Sequence, residues 1–154
     1  MVEDNKLSTP EARSLLHKRS VDCYGYLRDD GLYDIEGHLI DVKTYTVEEL
    51  DRGPIPPGEP IHEMWLRLTI DNAMEIVEVE AKTVWSPYSI CSEITPNFKK
   101  LKGIAIRPGF ILKTRQLLGG INGCTHLVEL LGPIATTAFQ TVYPHRARKK
   151  NNKK

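Results

Sequence analysis

No run of apolar residues in this 154-residue chain approaches the ~20 that a bilayer-spanning helix needs, so a helical membrane protein is not expected. Cysteine is scarce. Cys23, Cys91 and Cys124 form an odd set without a Cys-x-x-Cys pair, which argues against a disulfide framework and against finger-type zinc spacing. No Walker or dinucleotide fingerprint is present, and no internal repeat appears. Net charge is nearly absent as well, at +1, but it is unevenly spread: six Lys and Arg and no acid crowd into "HRARKKNNKK". The rest of the chain is therefore net acidic. No aromatic platform or groove-reading motif accompanies the basic block, so residues 145–154 are expected to be a disordered basic tail, and nucleic acid is not an expected partner. The opening "MVEDNKLSTPEARSLL" is polar and acidic, unlike a secretory signal, which makes the cytoplasm the expected location.

What is present suits one globular domain over residues 1–144. Hydrophobic content is 40% and charged content 27%, ordinary values for a soluble fold. "STPEARSLL" places Pro after Ser-Thr and predicts a short helix start. Beyond "DDG", Tyr33, Ile35 and Leu39 alternate with Asp34, Glu36 and His38, so residues 19–47 predict a hairpin turned at Gly31. His38 falls on the polar face and reads as a surface residue. "DRGPIPPGEPIH", with four prolines, cannot be a helix or an interior strand. It reads as an ordered loop leading to His62. In "MWLRLTIDNAMEIVEVEAKTVW", Leu66, Leu68 and Ile70, then Val77, Val79 and Ala81, alternate with polar residues around a turn at Asn72. That pattern predicts a second antiparallel hairpin with one wet and one dry face. "SPYSICSEITPNFKKL" predicts a loop and short helical turns broken before Pro96. "RPGFILKTRQLLGG" predicts a helix stopped by glycine. "CTHLVELLGPIATTAFQTVY" predicts a longer one, with Leu127, Leu130, Leu131 and Ile134 on one face and a kink at Pro133. The expected fold is α+β: an antiparallel sheet of two hairpins, with C-terminal helices packed on one face.

The chemistry-bearing side chains converge in this scheme. His62 opens the central hairpin and Cys91 follows its second strand, so both fall at the end opposite the turn. A last helix packed on the dry face, with its start at that end, brings Cys124 and His126 alongside. Two imidazoles and two thiolates suit zinc or iron over harder cations. Cys23, on an outer strand, reads as filler.

Two resemblances bear on this set. "MWLRLTIDNAMEIVEVEAKTVWSPYSIC" and "GCTHLVELL", within residues 58–132, resemble the hairpin and helix start of the NifU/IscU-like iron–sulfur scaffold proteins. The resemblance implies a NifU/IscU-like fold with His62, Cys91 and Cys124 at the scaffold's three cysteine positions. Met64 stands where the scaffold has Asp, and His126 follows the last Cys where the scaffold's His precedes it. Over most of the chain, "DDGLYDIEGHLID", "GEPIHEMWLRLTID" and "GCTHLVELL" resemble a family of small bacterial proteins known only as a domain of unknown function. That likeness implies no activity.

The expectation is a cytoplasmic protein that binds zinc or iron through His62, Cys91, Cys124 and His126, as an accessory in metal or cofactor handling with a client protein as partner. Three other readings stay open. Cys124 at a helix start could be the nucleophile of a thiol enzyme, with His62 or His126 as base, or the site could be that of a zinc hydrolase. "LLGGINGCTH" could cradle an anion or cofactor on backbone N–H groups at Gly120 and Gly123, with Arg115 or Arg107 as counter-charge. The chain could also be an adaptor that uses its hairpin face and basic tail.

Overall fold

The computed structural model describes residues 7–49, 51–88, 95–120 and 123–153. Two long hairpins carry the architecture. Strands β1 (His17–Leu27) and β2 (Tyr33–Lys43) form the first, and β5 (Pro60–Ile70) and β6 (Ile76–Trp85) the second. They join through an antiparallel β2–β5 pairing into one sheet of order β1-β2-β5-β6. Between them, β3 (Val47–Glu49) and β4 (Gly53–Ile55) make a separate two-stranded ribbon, so the proline-rich segment contributes a short edge pairing, as its missing donors require. The first turn is closed by Arg28 N–H donating to Leu32 O at 2.9 Å, with Gly31 at φ 87°.

Helices follow the strands. A 3-10 helix, Thr95–Leu101, buries Phe98 and Leu101; α1 (Phe110–Leu118) ends against Gly119; and α2 spans Thr125–Asn151. Helix α2 lies across β2, β1 and β5 on one face of the sheet. Its Leu127, Leu130, Leu131 and Ile134 meet Ile35, Leu39, Met64, Leu66 and Leu68 in the core, all essentially without exposure. Among the described residues, no helix is long and apolar enough to cross a membrane.

Four details differ from the sequence reading. Residues 7–16 carry no helix; Leu7, Leu15 and Leu16 are exposed, and a short helix without an apolar surface to pack on cannot recover its nucleation cost. In β6, Thr69 pairs with Glu78 and Ile70 with Ile76, so Val77 is the extra residue of a bulge and Ile76 takes its place in the core. Pro96 lies within the 3-10 helix near its start, where its missing N–H has no helical partner to lose. Finally, α2 runs through Pro133 and Pro144 and takes in Arg146, Arg148, Lys149 and Lys150 of the segment expected to be disordered. Tertiary bonds fix the base of that extension: the Tyr33 hydroxyl lies 2.8 Å from His145 Nδ1, and Arg146 donates to Asn72 O at 3.0 Å. Arg and Lys then propagate the helix readily.

The close seating of α2 depends on glycine at two strand positions. A Cβ on Gly37 would lie 2.8 Å from Ile134 Cδ1, and one on Gly25 would lie 1.8 Å from Thr141 Oγ1. Both glycines belong to the inward-facing series of their strands, so the helix can settle close to the sheet. Gly37→Ala is expected to lower unfolding free energy by about 1–3 kcal/mol through overpacking, read from urea denaturation. A variant as stable as the parent would show that Ile134 gives way without cost.

Candidate functional site

In β2, the inward series Tyr33, Ile35, Gly37, Leu39 ends on a carboxylate, Asp41, because side chains of alternate residues share one face. Asp41 pairs in register with Arg19 on β1 and with His62 on β5. Three polar residues thus stand in a row across the helix-facing side of the sheet. The β2–β5 register shifts directly after Asp41, which marks where regular pairing ends. Above the row, α2 begins at Thr125 and its first turn supplies His126, with Glu129 one turn further on.

Asp41 is 1% exposed, and a buried carboxylate is tolerated only with partners. It has them. Arg19 grips it in a fork, Nε donating to Oδ1 at 2.8 Å and the second terminal nitrogen to Oδ2 at 2.8 Å, the bidentate geometry that suits guanidinium to carboxylate. The remaining terminal nitrogen of Arg19 reaches Glu129 Oε2 at 2.6 Å. His17 Nε2 approaches Oδ1 at 3.1 Å. Oδ2 faces the other two imidazoles, with His62 Nδ1 at 3.2 Å and His126 Nε2 at 3.9 Å. The His62 and His126 rings stack, their centroids 3.7 Å apart at 28°. Although close to Oδ2, His62 Nδ1 is not aligned for a hydrogen bond and is buried without a hydrogen-bond partner among the described residues. One ligand atom from each of Asp41, His62 and His126 falls within 4.8 Å of the others.

The electrostatics follow from burial and neighbours. Burial, and then the His126 imidazole, push His62 down to about 4 against the opposing pull of Asp41. His126 is lowered by burial and by Arg19. Burial works against ionisation of Asp41, but the hydrogen bonds and charge of Arg19, with help from His62 and His17, hold its carboxyl below the ordinary range. Near neutral pH the cluster is a carboxylate beside two neutral imidazoles, each of which keeps one unprotonated ring nitrogen. That is a donor set for a borderline divalent cation.

The sequence reading is met in part. His62 and His126 come together, though His62 is the third residue of β5 rather than its forerunner. Cys124 does not join them in the triad: it is buried, with Sγ 3.7 Å from Met64 Sδ. Its contact with the Met64 thioether is a sulfur–sulfur contact within the core. Cys91 lies outside the described residues. Arg115 faces a groove of about 370 Å³ with Thr125, Val128 and Glu129. Gly120 is in the left-handed region at φ 62°. Gly123 is small for packing: its Cβ would fall 2.1 Å from Leu118 O. Cys23 is partly buried against the core, and burial pushes its thiol up. His38 is on the opposite face, stacked on Trp65 at 3.8 Å and 3.0 Å from Glu63. Asp41, Arg19 and His17 were missed, although the alternation beginning at Tyr33 already points Asp41 inward.

Acid titration reads this site directly. The unfolded chain protonates histidine near 6.5 while folded His62 resists until about 4, so the unfolded state binds the proton first. The contribution of His62 to the stability of the metal-free protein is therefore complete above pH 6.5 and is lost as pH falls towards 4, by on the order of 3 kcal/mol. Urea melts at pH 7, 6, 5 and 4 should show this slope, flattened in His62→Gln. An equal slope in both proteins would assign the loss elsewhere.

Comparison with known proteins adds family membership. The model of the family described as "Protein of unknown function (DUF2889)" matches residues 17–140, which include Arg19, Asp41, His62 and His126, and the chain belongs to that family. No curated protein and no solved structure matches it. The α+β fold with a four-stranded antiparallel sheet stands, while the NifU/IscU resemblance finds no structural neighbour to support it.

Proposed function

We propose that this member of the DUF2889 family binds one transition-metal ion, zinc or iron(II), through Asp41, His62 and His126. The observation that carries the reading is the convergence of His62 Nδ1 and His126 Nε2 on one oxygen of a buried carboxylate, at 3.2 and 3.9 Å. Ligand atoms about 2.0–2.2 Å from a zinc ion sit roughly this far from each other, so the three ligand side chains themselves need little rearrangement. The buried Nδ1 of His62, without a hydrogen bond among the described residues, gains a partner when an ion is bound, which removes the cost of leaving a polar atom unsatisfied. Two imidazoles and one carboxylate leave coordination positions open, as in zinc hydrolases and in iron(II) sites of the two-His-one-carboxylate type. Such an ion can act on a bound molecule or be passed on, so a cytoplasmic accessory that hands metal to a client protein remains part of the proposal.

The thiol-enzyme reading has less behind it, since Cys124 is packed on Met64. The anion-cradle reading has less as well, since Gly123 is accounted for by its closeness to Leu118 O.

Metal analysis of protein purified without a histidine tag tests the proposal. One equivalent of zinc or iron is expected in the parent and in Cys124→Ser. Less than a tenth of that is expected in His62→Gln and His126→Gln, whose folding is checked by circular dichroism. Substoichiometric metal in the parent, or full loading of both histidine variants, overturns it.

A further inference from the structure

Arg19 sits where a metal ligand's neighbour is least expected to carry positive charge. Its fork occupies both oxygens of Asp41, including Oδ2, the oxygen that faces His62 and His126. In the metal-free chain this is what makes the buried carboxylate tolerable: Arg19 supplies opposite charge and a two-pronged hydrogen bond, and His17 Nε2 lies 3.1 Å from Oδ1. An ion arriving at Oδ2 changes the balance. It offers Asp41 two positive charges and stands beside a guanidinium that it repels. The guanidinium already has a second acceptor, because its remaining nitrogen is bonded to Glu129 Oε2 at 2.6 Å. Glu129 is half exposed and lies one helical turn beyond His126. Pivoting about that bond moves the positive charge away from the site without sending it into solvent unpaired.

We propose that Arg19 is a resident counter-cation that makes the metal exchangeable: it holds Asp41 while the site is empty of metal, and Glu129 takes it up as the ion binds. This rests on the reading of Asp41, His62 and His126 as an ion site and adds to it. It makes the ion a reversible occupant, with affinity set by competition, in place of a structural ion without which the chain would not fold. A purely structural Arg19 predicts the opposite sign, since loosening Asp41 would then weaken the ion's hold.

Zinc affinity measured by competition with a chromophoric chelator, beside thermal melts of each metal-free protein, separates these. The parent, Arg19→Gln, Arg19→Lys and Glu129→Gln are compared at full length. Arg19→Gln should melt lower without metal yet bind zinc about tenfold tighter or more, and zinc should restore its melting temperature. Arg19→Lys, which keeps the charge and loses the fork, should fall between. Glu129→Gln should bind several-fold more weakly, because the displaced guanidinium loses the negative charge of its acceptor. Zinc binding by Arg19→Gln no tighter than by the parent overturns the proposal while leaving the ion site standing. If Arg19→Gln fails to fold without metal, refolding on stoichiometric zinc supports the proposal. Absence of such refolding, with Arg19→Lys binding no tighter than the parent, overturns it. No zinc bound by any of the four proteins overturns the ion reading beneath it, and this inference with it.

Discussion

A carboxylate at the end of a dry strand face is the constraint around which the rest of the site is organised. Asp41 continues the inward series of β2 past Leu39 and is buried to 1% exposure. Water cannot solvate it there, so neighbouring elements must. β1 contributes Arg19 and His17, β5 contributes His62, and the first turns of α2 contribute His126 and, through Arg19, Glu129. The cluster ties both hairpins to the last helix at one place, where the apolar layer formed by Leu39, Met64 and Leu127 gives way to polar groups.

The helix can reach that place because the sheet is thinned beneath it. Gly37 and Gly25 leave room for Ile134 and Thr141, so α2 lies close over β1 and β2 while its N-terminal end overhangs Asp41. At the same end, Cys124 packs on Met64, which seats the start of the helix two residues along β5 from His62. Packing therefore positions the imidazoles: one side of the helix start is anchored in the core, and the neighbouring position carries His126 over the carboxylate. Apolar contacts and a polar cluster share a few residues of chain, each setting the geometry of the other.

Much of this was legible in the residues. Alternation over Tyr33–Leu39 and Leu66–Ile70 marks both hairpins and their dry faces, and the spacing of Leu127, Leu130, Leu131 and Ile134 marks the buried stripe of α2. Period-two and period-3.6 patterns are local, and they survive into the fold. What was not legible depended on partners distant in the chain. The bulge at Val77 is defined by pairing with β5, and the helix expected near Pro10 fails for want of a surface to pack on. At the site, chemical softness groups Cys124 with His62 and His126, whereas in the fold its Sγ lies in the core 3.7 Å from Met64 Sδ. Asp41 could have been found by carrying the alternation one step past Leu39 and asking why an acid stands on an apolar face. Arg19 could not, because its fork depends on which residue of β1 lies opposite.

The row Arg19–Asp41–His62 is aligned by strand pairing alone, and that alignment has a consequence for how the chain assembles. Sliding β2 by a single residue against its neighbours turns its whole side-chain set over, so Asp41 would leave the helix-facing side and Ile40 would take its place opposite a guanidinium and an imidazole. Leu39 and Ile35 would surface in the same motion. Misalignment thus strands charge and exposes apolar side chains together, so the cluster penalises the wrong register.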